Sequence, residues 1–115
     1  MPLSNEKNTG PACPFCPAQL DSRLVAESDS MVVIEDRYPV SRHHLLIIPK
    51  RHVSDYFDLT ESEHMDALRL IRSLKNELRE SDPLITGFNV GVNMGESAGQ
   101  TIFHCHVHLI PRRQG

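Results

Sequence analysis

The order of apolar and polar positions along the chain predicts several short strands around a single helix. Two apolar or β-branched runs, from Arg23 to Glu27 and from Met31 to Glu35, flank a polar turn at residues 28–30 and predict a β-hairpin. A third apolar run, from His44 to Ile48, is stopped by Pro49 and predicts a buried strand. We therefore expect three strands before the first helix.

The strongest helix signal begins at Thr60. Thr60 and Glu63 have the spacing of a capping box, in which each side chain accepts a hydrogen bond from the other residue's backbone N–H. The pattern predicts a helix that ends at residues 81–83, where a proline follows Ser81 and Asp82. Its core face is expected to consist of the apolar residues that recur at helical spacing: Met65, Leu68, Ile71 and Leu78.

Two more strands are predicted downstream, at residues 87–94 and 103–110, with a glycine-containing loop at residues 95–101 between them. The expected fold class is α+β: a five-stranded, mostly antiparallel sheet with one long helix. We expect the strand at 103–110 to be central in the sheet, with the loop lying over it.

This last strand carries an unusual row of histidines. Because side chains alternate across a strand, His104, His106 and His108 are expected on one face, opposite an apolar face. Three imidazoles in a row are compatible with a metal site or with a nucleophile and its acid–base partners. The preceding loop favours phosphoryl chemistry, because it can present backbone N–H groups and polar side chains to an anion: Gly95, Ser97, Gly99, Gln100 and Thr101.

Length and charge narrow the class of protein. The chain has 115 residues and a formal net charge of −3 at pH 7. We expect one domain at residues 13–115, preceded by a polar flexible arm at residues 1–12. The negative charge argues against a nucleic-acid or anionic membrane partner. Without a recognisable signal peptide or membrane span, a cytoplasmic location is expected.

A second candidate site is the pair Cys13 and Cys16, spaced as Cys-x-x-Cys. Such a pair is compatible with half of a zinc site, a redox pair or two buried thiols. The redox interpretation lacks the strand–helix pattern of thioredoxin-like proteins around the two cysteines.

From Cys13 to Arg113 the chain resembles the histidine triad (HIT) superfamily of nucleotide hydrolases and transferases. The most specific match is the His-φ-His-φ-His-φ-φ signature, in which φ is an apolar residue, at residues 104–110. Residues 39–50 also resemble a family segment, and they align His44 with a further triad histidine. One departure is His43, which stands where the family usually has glycine.

The resemblance implies a role for each residue of the site. His106 would attack the α-phosphorus of a nucleotide and form a covalent nucleotidyl intermediate that water then hydrolyses. His108 and His44 would support this chemistry, and Gln100 and Thr101 would donate to the phosphoryl group. The implied substrate-binding residues are Asp36, which would bind the ribose hydroxyls, and Asn93, Gly99, Gln100, Thr101 and His108.

The resemblance also implies a structural zinc ion, bound by Cys13, Cys16, His52 and His104, and a homodimer formed through the long helix and the adjoining strand. The substrate would be a dinucleoside polyphosphate or a nucleoside phosphoramidate. The Cys-x-x-Cys pair and the sequence Ile110-Pro111-Arg112 favour the polyphosphate.

Two other classes of function compete with this interpretation. The first is a nucleotide-binding or interaction module with vestigial activity, against which the intact His44, His106 and His108 argue. The second is a zinc protein that binds nucleic acid, which the absence of a basic face disfavours.

Overall fold

The structure, a computed structural model, describes residues 13–16, 20 and 23–114. It contains five strands, β1 (Leu24–Glu27), β2 (Met31–Glu35), β3 (Leu45–Pro49), β4 (Ile85–Gly91) and β5 (Val107–Arg113), and one long helix, α1 (Glu61–Ser81). The expected arm at residues 1–12 lies outside the described residues. Within the described part, no helix is both long enough and apolar enough to cross a membrane.

All neighbouring strands of the sheet are antiparallel, in the order β1-β2-β3-β5-β4. This confirms the predicted α+β fold of one five-stranded sheet with one long helix. The hairpin predicted from the polar turn at residues 28–30 is formed by β1 and β2. β3 lies at the centre of the sheet, and β4 lies at an edge.

The two faces of the sheet bury different groups, because side chains alternate along each strand. One face packs against α1 through a cluster that includes Val33, Ile47, Leu74 and Leu109. The other face packs against the segment that begins at Cys13, through a cluster that includes Cys13, Phe15, Val32, Ile34, Leu46 and Ile48. The second face carries the candidate chemistry.

The predicted capping box is present at the start of α1. The Thr60 hydroxyl accepts a hydrogen bond from the Glu63 N–H, and the Glu63 carboxylate accepts one from the Thr60 N–H. The predicted core face of the helix was wrong at two positions, since Met65 and Leu68 are 46% and 40% exposed. The sheet covers the helix along the stripe that contains Ala67 and Leu74, and Met65 and Leu68 lie beside that stripe.

Asp66 of α1 holds the turn between β1 and β2 against the helix. Its Oδ2 atom accepts hydrogen bonds from the Ser28 hydroxyl at 2.6 Å, the Ser30 hydroxyl at 2.6 Å and the Ser30 N–H at 3.0 Å. Burial acts to raise the pKa of Asp66, but these hydrogen bonds outweigh it and lower the pKa. The carboxylate therefore links the helix to the hairpin.

We predict that Asp66→Asn lowers the free energy of unfolding by about 2 kcal/mol at pH 7, because a neutral amide accepts these bonds less strongly than a carboxylate. Urea unfolding followed by circular dichroism measures the difference, with Asp29→Asn in the same turn as a matched control. Because the folded pKa of Asp66 is lowered, its contribution is present above the ordinary pKa of 3.8 and is lost as the pH falls through the folded value. Equal stability of wild type and Asp66→Asn at pH 7 would contradict the prediction.

Candidate active site and metal centre

The alternation of side chains predicted that the three signature histidines lie together on one strand, and this prediction was wrong. β5 begins at Val107, so His108 is in the strand while His104 and His106 lie in the irregular segment before it. Pairing with β3 stops at Ile47 and Val107. A proline lacks the N–H that a strand partner needs, and here the Pro49 carbonyl instead accepts a hydrogen bond from the His104 ring at 2.7 Å. The prediction that His106 lies on a central strand is corrected accordingly.

The hydrogen bonds of His106 determine which of its ring nitrogens can attack. Its Nδ1–H donates to the His104 carbonyl oxygen at 2.9 Å, so the Nε2 lone pair is free. Burial lowers the pKa of His106, which keeps the ring neutral and nucleophilic near pH 7.

Phe15 places a second restraint on the His106 ring. Its ring meets the His106 ring edge to face, with 5.0 Å between the centroids. Sequence reasoning did not identify Phe15 as a site residue. Its position between Cys13 and Cys16 was the available signal, because any group that fixes the cysteines also fixes the residue between them.

Val40, His44 and His108 form a chain of hydrogen bonds. Its contacts determine which nitrogen of each histidine ring carries the proton. The Val40 N–H donates to His44 Nδ1 at 3.1 Å, so the His44 proton is on Nε2. His44 Nε2–H then donates to His108 Nδ1 at 2.9 Å, which places the His108 proton on its Nε2 atom. Both pKa values are lowered, chiefly by burial, so both rings are neutral near pH 7.

Asp36 lies at the edge of this chain. Its Oδ2 atom is 3.4 Å from His44 Nε2, and its Oδ1 atom accepts a hydrogen bond from the Tyr38 N–H. The spacing of Asp36, His44 and His108 would suit a metal ion. The hydrogen bonds argue against one, since the nitrogen that would bind the metal, His44 Nε2, carries a proton.

His43, which stands where the family usually has glycine, has a strained backbone conformation. His43 has a φ of +69°, in the left-handed region, and among the described residues it is the one non-glycine with positive φ. A glycine adopts that conformation without the clash of a Cβ atom. The side chain points towards Glu35, with 3.5 Å between Nδ1 and Oε1.

The loop at residues 95–101 is held by its own polar groups. Gly95 and Gly99 have positive φ values of 85° and 90°, and the Asn93 side chain donates to the Ala98 carbonyl. The Gln100 side chain is buried. Its Oε1 accepts from the Gly95 N–H, and its Nε2 donates to the carbonyls of Ser54 and Ile102.

This arrangement bears on the predicted donors to a phosphoryl group. Both N–H bonds of the Gln100 amide already have acceptors, so the residue holds the loop in place and could donate to a substrate only by exchanging one of them. Thr101 is exposed. Its role as a donor, like the substrate-binding roles of Asn93 and Gly99, stays a prediction.

The second cluster brings together the predicted metal ligands Cys13, Cys16, His52 and His104. His104 Nδ1 is 3.3 Å from Cys13 Sγ and 3.7 Å from Cys16 Sγ, and His52 Nδ1 is 3.4 Å from Cys16 Sγ. The His104 proton is on Nε2, where it binds the Pro49 carbonyl, so the Nδ1 lone pair faces the sulfurs. All four ligand atoms lie within 4.8 Å of one another, which is close enough to hold one metal ion.

The electrostatics of this cluster are those of buried groups close to one another. Burial, and then the neighbouring Cys13, raise the pKa of the Cys16 thiol to about 12; redox chemistry and metal binding both use the thiolate, so this shift does not separate the two uses. Burial also lowers the pKa of His104 to about 4, which keeps that ring neutral and able to bind a metal.

The antiparallel sheet and the long helix define an α+β class of protein. In it, one cluster of histidines lies next to a second cluster of cysteines and histidines that has the spacing of metal ligands. Residues 18–115 match the HIT domain family, and the chain belongs to it. Cys13 and Cys16 lie outside the matched range, so the cysteine half of the metal cluster precedes the matched part of the domain.

Relatives with known sequences support this assignment. A HIT-like protein of Mycoplasma genitalium is 34% identical over 115 residues, which cover 93% of this chain and 77% of that protein. The AP-4-A phosphorylase of Mycobacterium tuberculosis is 35% identical over 125 residues, which cover 99% of this chain. The match spans only 62% of the phosphorylase.

Solved structures agree with the fold. A HIT family protein from Bacillus anthracis superposes with a TM-score of 0.79 at 34% identity, covering 89% of this chain and 72% of that one. A Zn-bound histidine triad family protein from Mycobacterium smegmatis superposes with a TM-score of 0.73 at 34% identity, covering 80% of this chain and 66% of that one.

We predict that the protein loses stability as the pH falls from 7 to 5. In the unfolded chain, His44 and His108 bind protons near the ordinary pKa of 6.5, whereas their folded pKa values are lower. Extra proton binding by the unfolded state favours unfolding in acid. Urea midpoints at fixed ionic strength measure the slope, which should be smaller in His108→Asn. If the urea midpoint changed with pH by the same slope in wild type and in His108→Asn, the lowered pKa of His108 in the folded protein would be contradicted.

Proposed function

We propose that the protein is a nucleotide hydrolase or transferase that attacks the α-phosphorus of a nucleotide through His106. The observation that carries the proposal is the free Nε2 lone pair of a neutral His106 beside the fixed Nε2–H of His108. The two ring centroids are 5.2 Å apart, so a nucleophile and a hydrogen-bond donor lie next to each other. Membership in a family that includes an AP-4-A phosphorylase supports the same class of substrate.

In the proposed first step, His106 Nε2 forms a bond to the α-phosphorus, and the bond to the leaving group breaks with its electron pair. The positive charge that develops on the imidazole is stabilised by the His104 carbonyl, which accepts the Nδ1–H. In the second step, a water oxygen attacks phosphorus, the N–P pair returns to Nε2, and the water's proton passes to solvent. The products are a nucleoside monophosphate and the leaving group.

The proposed nucleoside subsite lies next to the nucleophile. A cavity of about 130 Å³ there is lined by Phe15, Leu46 and Ile102, which suit a base, and by Asp36, whose carboxylate suits the ribose hydroxyls. A residue that lines the cavity and also contacts His106 would align the α-phosphorus with His106. Phe15 lines the cavity and contacts the His106 ring.

We predict that His106→Ala abolishes turnover and covalent labelling by diadenosine tetraphosphate or an adenosine phosphoramidate. Mass spectrometry of wild type quenched at alkaline pH, at which a histidine N–P bond survives, should find adenylate on a peptide that contains His106. His64→Ala, a histidine substitution in α1, is the matched control and should keep both properties. Adenylate mapped to another histidine, or wild-type activity in His106→Ala, would exclude the proposed nucleophile.

We also propose that the Cys/His cluster binds a structural zinc ion. Tetrahedral zinc, with Zn–S of about 2.3 Å and Zn–N of about 2.0 Å, requires S···N separations of about 3.5 Å. The observed values of 3.3, 3.4 and 3.7 Å fit that geometry. A Zn-bound relative supports the choice of metal, and zinc-binding thiols suit the reducing cytoplasmic location that we propose.

We predict that Cys16→Ser lowers the zinc content of the purified protein well below one ion per chain and lowers its melting temperature. Cys105→Ala is the matched control, because Cys105 is buried outside the cluster. That control should keep zinc even if it loses stability. Element analysis by mass spectrometry measures the zinc content of both variants. Wild-type protein that binds no zinc from a zinc-buffered solution would refute the site.

The proposed homodimer has support from an exposed apolar surface between α1 and β4. A groove of about 420 Å³ there is lined by residues that include Phe57, Leu68, Ile71, Val90 and Met94. β4 is also an edge strand, whose free backbone groups can pair with another strand. A second copy of the chain would cover both features.

A further inference from the structure

Four lysine or arginine residues lie at or just beyond the C-terminal ends of β3 and β5, and one of them differs from the others in its partners. Lys50 pairs with Glu27 at 3.0 Å, Arg51 with Glu63 at 2.8 Å, and Arg113 with Asp82 at 2.8 Å. Among the residues that the structure describes, Arg112 has no carboxylate partner.

The one fixed contact of Arg112 leaves its terminal groups available. Its Nε–H donates to the Asn89 side-chain oxygen at 2.6 Å. That bond fixes the plane of the guanidinium and leaves both terminal NH₂ groups free to bind an anion in two-pronged fashion. Arg112 therefore has the character of a pre-oriented anion receptor.

Arg112 and His108 project from the same face of β5, because they are four residues apart on one strand. Their backbone positions are about 13 Å apart at the usual strand rise. The facing positions on β4 are Gly91 opposite His108, Asn89 opposite Ile110, and Gly87 opposite Arg112. A Cβ atom at either glycine would meet nothing within 4 Å, so the strip between His108 and Arg112 is open at both ends, with Asn89 between them.

The proposed attack would direct the leaving group towards this strip. An in-line displacement at phosphorus expels the leaving group on the side opposite the nucleophile. The His108 ring is next to the His106 ring, with 5.2 Å between the centroids. A leaving group on the His108 side of the phosphorus would therefore extend towards Ile110 and Arg112. The charge of Arg112 already reaches the site, since it adds to the dominant effect of burial in lowering the pKa of His44 against the opposing effect of Asp36.

We propose that Arg112, oriented by Asn89, binds the anionic phosphate chain of the leaving group and so selects nucleoside polyphosphates over substrates with a neutral leaving group. The inference rests on the proposed function, because it names the leaving group for attack by His106. Arg112 is a substrate-binding residue in this scheme and takes no part in bond making.

The test compares two substrates that share adenylate and differ in the leaving group. Arg112→Gln should lower kcat/KM for diadenosine tetraphosphate by about tenfold or more, as expected for loss of a charge-assisted hydrogen bond. It should change kcat/KM for an adenosine phosphoramidate with an uncharged amine product by less than about twofold. Arg112→Lys should lie between, because it keeps the charge and loses the planar fork.

Two further variants control for charge and for orientation. Arg72→Gln removes the same charge from an exposed position of α1, behind the other face of the sheet, and should leave both substrates unaffected. Asn89→Ala should weaken only the polyphosphate reaction, by less than Arg112→Gln does. Equal losses on both substrates would assign Arg112 to the adenylate part, and no loss on either would remove its role; each result overturns the proposal.

A binding measurement separates this proposal from the proposed catalytic function. In His106→Ala, titration calorimetry with AMP and with ATP should show that Arg112→Gln weakens ATP binding by about tenfold and leaves AMP binding unchanged. The absence of an adenylated intermediate in wild type would refute the catalytic proposal alone. An unchanged ratio of ATP to AMP affinity would refute the role of Arg112 alone.

Discussion

The site depends on the position of one buried residue, His104, through three of its atoms. Its Nε2–H binds the Pro49 carbonyl at the end of β3, its Nδ1 faces the two cysteines, and its carbonyl oxygen orients the His106 ring. His104 has no exposed surface, so an unpaired polar atom there would be costly. The Cys/His cluster and the His106 ring therefore share a residue and cannot move independently.

Much of this structure was accessible from sequence pattern. The hairpin turn, the capping box at Thr60 and the extent of the helix followed from local chemistry, which the folded chain retains. The signature histidines and the four candidate metal ligands could be named because each residue type has few alternative uses at that spacing. Their proximity was implied by family resemblance and is visible in the distances between them.

The errors arose where tertiary context decides. Alternation along residues 103–110 predicted a strand, but the chain leaves the sheet before Val107, and a ring-to-carbonyl bond at Pro49 replaces backbone pairing. Met65 and Leu68 fit the helical period, yet the sheet covers a neighbouring stripe. The lack, among the described residues, of an acidic partner for Arg112 has no signature in local sequence.

The fixed protons of the His44–His108 chain limit what His108 can do. Neutral His108 holds one proton, on Nε2, and its Nδ1 is occupied by the proton of His44. Releasing the Nε2 proton would leave an imidazolate unless His44 gave up its own, and the Val40 N–H blocks the remaining His44 nitrogen. The hydrogen-bonded pair of His44 and His108 thus orients the Nε2–H of His108 and does not relay a proton. Under the proposed function, a phosphate chain would leave as a stable anion, whereas a departing amine would have to draw its proton from solvent.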